Sequence, residues 1–359
     1  MIYKPLDMKD GDAFDLVRSA RVAGRKITVL GGGTGLSTLL LGLKEYTDNI
    51  TAVVTVADDG GGSGVIRRHF GMLPPGDIRN CILALANTSS TMSALLNYRF
   101  TDSFLEGQNF GNLFLLALNG ISPSFEAAVE RMNQFLAVTG RVLPVTNRDV
   151  ALKATFENDA VVYGETEITG KKKKSGLAIK KMELEPGDVD ALPSVIEAIG
   201  EADIIVLGPG SLYSSIIPNL LVNGVSEAIK RSSALKIYAL NIMTQEGETE
   251  NYTATKHIEE INRHARGSII DVCLYNSEMP NKKMTENYKD ENSVPLVPFA
   301  SELLPLGIKL FGANMLAHDM QYARHDPLRL AYNILAACDK FAPRDGILRE
   351  YDKLLLRRE

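Results

Sequence analysis

Several glycine-rich segments of this 359-residue chain begin where an apolar run stops, the place at which backbone N–H groups can meet an anion. The first is Gly31-Gly32-Gly33-Thr34-Gly35, which follows Ile27-Thr28-Val29-Leu30 and leads into Leu36, Leu39, Leu40 and Leu43 at helical spacing. Glycine lets the backbone turn tightly and approach a ligand, so this order predicts a phosphate cradle, with a plain tight turn as the competing account. The dinucleotide pattern GxGxxG fails in both registers, because Leu36 or Thr38 holds the last glycine place. An NAD-dependent oxidoreductase is disfavoured on that ground. A second cradle of the same type is Gly208-Pro209-Gly210-Ser211-Leu212, directly after the apolar run Ile204–Leu207.

Acids and amides stand at the ends of other apolar runs. Asp58 and Asp59 precede Gly60-Gly61-Gly62-Ser63-Gly64, and one of them is expected to face a ribose or a bound cation. Only one should unless the chain has already left the sheet, because adjacent strand residues point opposite ways. Asp77 and Asn80 lie in Leu73-Pro74-Pro75-Gly76-Asp77-Ile78-Arg79-Asn80, where Asp77 either meets the ligand or caps the helix that follows. Asn112 ends a further polar loop, and Asn241 opens the segment NIMTQEGE after another apolar run. In Arg324-His325-Asp326-Pro327, Asp326 and Pro327 read as the start of a helix and Arg324 as a phosphate clamp. Polar ends on many successive strands predict one shared cleft.

Other chemistries are excluded by pattern. The five histidines form no HExxH or comparable pair, so no zinc site is expected, and neither a GxSxG elbow nor a Walker lysine motif is present. A net charge of −5 argues against a nucleic-acid partner. No stretch reaches the roughly 20 apolar residues of a membrane span. Cys81, Cys273 and Cys338 are far apart and odd in number, which predicts reduced thiols in core packing and a cytoplasmic protein.

The elements that must position these residues follow from periodicity. Continuous apolar runs at Ile27–Leu30, Ile50–Val56, Ile204–Leu207, Ile237–Leu240 and Ile269–Leu274 alternate with helix-length segments. Such alternation predicts an α/β fold: a Rossmann-like, doubly wound, mostly parallel sheet covered on both faces. Residues 1–24 read as an N-terminal arm, 25–345 as the α/β domain and 346–359 as a charged tail. Within the domain, about 140–186 reads as a small antiparallel β-rich insert, with a turn at Gly170 and Lys171–Lys174 as its solvated hairpin tip.

Taken together, GGGTG, VADDGGGSG, LPPGDIRN, FGNLFLLAL, RVLPVT, GPGSLYSSIIPNLLV, NIMTQEGET and RHDP resemble, in order, the family that joins 2-phospho-L-lactate transferases (CofD) with bacterial YvcK-type gluconeogenesis factors. The segments at Met243–Thr249 and Arg324–Pro327 are most similar to the gluconeogenesis-factor branch. That resemblance implies a regulator that binds a UDP-sugar, notably UDP-N-acetylglucosamine, and acts on carbon partition, cell-wall precursor supply and cell shape. It places Arg324 and Tyr288 on ligand-contacting positions and implies a regulated metabolic enzyme as partner, with a homo-oligomer left open. The alternative is a transferase moving a phospholactyl group from a nucleotide diphosphate donor to a deazaflavin acceptor, with Mg²⁺ on the diphosphate and Asp59 as catalytic candidate. Gln108 stands where the family commonly has histidine, which weakens acid–base catalysis there. Glu246 and Val65 also depart from the usual pattern.

Overall fold

The computed structural model describes residues 21, 23–288, 291–318 and 320–356. Most of the arm expected over 1–24 lies outside the described residues. Seven strands form one parallel sheet in the order β10-β9-β8-β7-β1-β2-β3. They are β1 (Ile27–Gly31), β2 (Ile50–Val54), β3 (Arg141–Pro144), β7 (Ile204–Leu207), β8 (Leu235–Ala239), β9 (Val272–Asn276) and β10 (Lys309–Ala313). Every residue of β1 and β7 is buried, as a strand covered on both faces requires. The helix Gly33–Leu43 lays Leu36, Leu39, Leu40 and Leu43 against the core. At Gly42 it comes so close to the helix Pro327–Phe341 that a Cβ would sit 1.9 Å from the Pro327 carbonyl oxygen. The fold is the expected α/β one.

The order of strands matters for the site. The chain leaves β1 for β2 and β3, then returns to lay β7 on the other side of β1. The sequence reverses direction between β1 and β7, and a crevice opens beyond their carboxyl ends.

The insert differs from expectation in two ways. Its antiparallel sheet is β5-β4-β6, built from β4 (Ala151–Phe156), β5 (Val161–Tyr163) and β6 (Ile179–Glu185), while Arg141–Pro144 belongs to the main sheet. Residues 171–174 are no hairpin tip: they lie in a helix, Glu165–Ser175, which also absorbs Gly170. Acids in its first turn and lysines in its last complement the helix dipole, and Lys172 is buried against Glu250 at 3.3 Å. The tail is likewise a helix, Gly346–Leu356, with Leu355 in the core. Buried ion pairs from Asp352 to Arg25 and Arg344 hold it to the sheet.

Candidate functional site

The glycine loops after β1 and β7 touch. A Cβ on Gly35 would lie 2.5 Å from the carbonyl oxygen of Pro209, so only glycine lets the first helix start this close to the second loop. Gly33 is needed for another reason: its φ is +65°, whereas a Cβ there would meet nothing nearer than the Ser215 hydroxyl at 3.8 Å. Around these loops lies a cleft of 540 Å³. It is lined by Gly32–Gly35 and Thr38, by Pro209–Ser211 with Ser214 and Ser215, and by Tyr288 and Tyr322–His325. Hydrogen bonds from Ala317 N–H to the Arg324 carbonyl and from Asp326 N–H to that of Met315 fix the Arg324 segment there. Asp326 accepts from Arg329 N–H and Pro327 opens the last core helix, as the sequence predicts.

Four carboxyl groups from four segments also line this space: Asp58 beyond β2, Asp77 in the first turn of the helix Gly76–Leu85, Glu165 at the start of the insert helix and Glu291 after Tyr288. Burial and the Asp58 charge push the Glu165 carboxyl up to about 8, and the same two causes push Asp77 up to about 6. Burial raises Asp58 as well, against hydrogen bonds from Gly60 N–H and Ser63. Beneath them the buried Glu248 carboxyl is raised by its desolvation, although Ser214 and the Tyr213 and Ser214 backbone hydrogen-bond to it. Arg324 is the one Lys or Arg among the described lining residues, and it makes no ion pair with a described residue. Its guanidinium lies over the Tyr322 ring at 5.9 Å.

The sequence-predicted site residues divide. Gly32, Gly33, Thr34, Gly35, Asp58, Asp77, Gly210, Ser211, Asn241, Tyr288 and Arg324 all line the cleft. Gly31 does not, because it is the last residue of β1, paired with Val54. Leu212 is fully buried in the turn of π-helix that follows the second loop, and Gly208 supplies the positive φ before Pro209 without reaching the cleft. Asp59 turns away to accept the Thr166 N–H and hydroxyl at 3.1 and 2.8 Å, so one acid of the pair faces inward; the chain has already left β2 at Val54, and these bonds to the insert, not strand alternation, set the difference. Asn80 accepts from Arg79 at 2.6 Å, and Asn112 is buried in its own helix; neither reaches the cleft.

Two residues reach the cleft in a different role. Asp77 does not cap its own helix, whose N-cap is Pro75; its carboxylate accepts the Gly33 N–H of the first loop. Asn241 spends both ends of its amide on Gly210, accepting from N–H at 3.0 Å and donating to the carbonyl at 2.9 Å. It braces the second loop. Glu165, Ser214, Ser215 and His325 also line the site, although the sequence pattern does not mark them as ligand residues. For Glu165 no local signal exists, since only the docking of the insert brings residue 165 beside residues 58 and 77.

The fit of a metal can be tested on these side chains. Among the described residues no three His, Cys, Asp or Glu groups are placed to share an ion. Asp58, Asp77 and Glu165 are each engaged by a donor of their own surroundings, namely Gly60, Gly33 and Ser214. The residues present do not make a ready site for Mg²⁺.

Comparison with known proteins bears on this cleft. The model of the family described as 2-phospho-L-lactate transferase CofD matches residues 27–316. A Thermoanaerobacterium thermosulfurigenes protein is 53% identical over 312 residues, covering 87% of this chain and 96% of the relative. The gluconeogenesis factor of Bacillus subtilis is 42% identical, covering 85% and 96%. A crystal structure of a UPF0052-family protein from Bacillus halodurans superposes with a TM-score of 0.83 at 39% identity, covering 87% of this chain and all of that one. The chain belongs to this family.

Within the CofD and gluconeogenesis-factor family, two departures of this chain now have a structural setting. Glu246, where a proline is common, pairs with Lys173 of the insert helix at 2.8 Å. Gly247 beside it, at φ +78°, leaves a Cβ position 2.7 Å from Thr169. With the Thr166–Asp59 bonds, these contacts tie the insert helix to the ends of both β2 and β8 and hold Glu165 over the cleft. Gln108 lies outside the cleft, its buried Oε1 without a partner among the described residues.

Proposed function

We propose that the cleft binds a UDP-sugar, UDP-N-acetylglucosamine foremost, and that the protein is a regulator rather than a catalyst. On this reading it couples that ligand to carbon partition, wall-precursor supply and cell shape, through a metabolic enzyme as partner in the cytoplasm. The carrying observation is that the two glycine loops at the reversal point of the sheet share one cleft with Arg324 and Tyr288. The loops suit a diphosphate, the guanidinium suits its charge, and the Tyr288 and Tyr322 rings suit a flat base or a sugar face. A volume of 540 Å³ falls within the ~300–1,000 Å³ usual for small-molecule sites. Asp59, the candidate for transferase chemistry, is engaged by Thr166 and supports no catalytic role in this arrangement. No described helix is long and apolar enough to cross a membrane.

The test is a ligand panel read by thermal unfolding. UDP-N-acetylglucosamine at 100 times its dissociation constant adds about 2.7 kcal/mol, enough to raise Tm by several degrees. A protein indifferent to millimolar UDP-sugar but stabilised by GDP with Mg²⁺, and able to transfer a phospholactyl group to a deazaflavin acceptor, would be the transferase instead.

A further inference from the structure

An anion entering this cleft meets more negative than positive charge. Asp58 comes from the end of β2, Asp77 from the helix Gly76–Leu85, Glu165 from the insert helix and Glu291 from the segment after Tyr288. Glu248 lies beneath, from the loop after β8. Against them stands Arg324. His325 is nine-tenths buried in the same lining, and its Nε2 has no partner among the described residues. Burial holds that ring at about 4, however, so it is neutral at physiological pH and adds no charge. A diphosphate carries two negative charges, and the acids present are not placed to recruit a metal ion for it.

Glu165 stands apart from the other acids. Asp77 has the Gly33 N–H and Asp58 has the Gly60 N–H, backbone donors that favour the ionised form. Glu165 has one neutral partner, the Ser214 hydroxyl, and faces Asp58, Asp77 and Glu248. It is the carboxyl for which ionisation costs most. Thr166, the next residue, is anchored to Asp59, which fixes the backbone from which Glu165 projects.

We infer that Glu165 is a ligand-contacting residue which enters the complex in its protonated form, donating a hydrogen bond to an oxygen of the bound diphosphate. The proton does the work of a counter-ion: it removes one charge from the wall and turns an acceptor into a donor. Ligand binding is then coupled to proton uptake above neutrality, as the elevated titration of this carboxyl allows. The inference rests on the diphosphate part of the functional reading and is independent of which sugar or base is attached.

The experiment is calorimetry of the whole chain with UDP-N-acetylglucosamine and with inorganic pyrophosphate in EDTA, from pH 7 to 9, in buffers of different ionisation enthalpy. For wild type the affinity for the UDP-sugar falls about tenfold between pH 7 and 9, with about half a proton taken up at pH 8. Glu165→Gln, neutral throughout and still a donor, flattens this profile and binds about tenfold more tightly than wild type at pH 9. Ionisation of the uracil ring near the top of the range is common to both proteins and cancels in the comparison. A profile that falls equally in both proteins, or a wild type that binds the UDP-sugar with no proton uptake, overturns the inference and leaves the UDP-sugar reading standing. Pyrophosphate binding with Glu165-dependent uptake, but no tighter binding of the UDP-sugar, supports the inference and sinks that reading. Failure of both anions to bind at any pH overturns both. Should Glu165→Gln not fold, proton uptake by wild type still decides, since its absence is fatal.

Discussion

The two ends of the parallel sheet treat buried charge in opposite ways. At the amino end, Arg25 just before β1 meets Asp352 of the last helix, which also receives Arg344, and Arg25 donates to the Ala342 carbonyl at 3.0 Å. Each charge there has an opposite one. At the carboxyl end, Asp58, Asp77 and Glu165 crowd one another, while Arg324 makes no ion pair with a described residue. Desolvated charge is tolerable when paired, and costly when like meets like. The amino end is built to hold the chain together, and the carboxyl end keeps its imbalance for a ligand.

The largest expected effect breaks the amino end. Asp352→Ala leaves Arg25 buried and Arg344 half-buried without their shared carboxylate, a loss of about 3–5 kcal/mol and a fall in Tm of roughly 10 °C. At a temperature where the variant is folded, its UDP-sugar affinity should match wild type. A Tm within about 2 °C of wild type would show that the cluster is not what holds this end.

Relieving the repulsion at the other end comes second. A carboxyl whose folded titration point lies above its unfolded one binds more protons when folded, so its contribution to stability falls as pH rises. For Glu165 that window runs from about 4.5 to about 8. Glu165→Gln has no such loss, so its Tm relative to wild type should climb by several degrees from pH 5 to pH 9. A difference independent of pH would mean that the three acids do not burden the fold.

Crowding and conformation in the first loop are separable at a smaller scale. Gly35→Ala pushes a methyl group into Pro209, an overpacking worth about 1–3 kcal/mol, and should weaken ligand binding at least tenfold by spreading the two loops. Gly33→Asn meets nothing nearer than the Ser215 hydroxyl at 3.8 Å and brings a residue type that accepts positive φ, so it should cost less stability than Gly35→Ala, while its side chain enters the cleft and weakens binding by occupying the anion's place. Equal losses of Tm in the two variants would refute the distinction.

Smallest for stability is Arg324→Ala, which breaks no described ion pair. Tm should move by about 1 °C or less, whereas UDP-sugar affinity should drop about tenfold or more through loss of charge-assisted hydrogen bonds. An unchanged dissociation constant would remove Arg324 from the site.

Much of the frame is legible in periodicity and glycine placement. Unbroken apolar runs such as Ile204–Leu207 require cover on both faces, which is what a parallel sheet inside helices provides. The lysine run misleads because four like charges suggest solvent, whereas acids at Glu165 and Glu167 make the same stretch a dipole-matched helix, and Glu250 and Glu246 neutralise two of the lysines. The tail misleads for a similar reason: its charges conceal an apolar stripe and one buried aspartate.

The strand–glycine–helix units and the types of group at their ends can be read residue by residue, because turn geometry and burial periodicity act over a few residues. That β7, and not a strand nearer in sequence, lies on the second side of β1 and joins Gly35 to Pro209 emerges from packing alone. Packing likewise decided that Asp77 serves the first loop, that Asn241 braces the second and that Glu165 descends from the insert among other acids. These pairings span 31 to more than 170 residues. Contacts of that range depend on how helices and strands pack as whole bodies, and no local pattern encodes them.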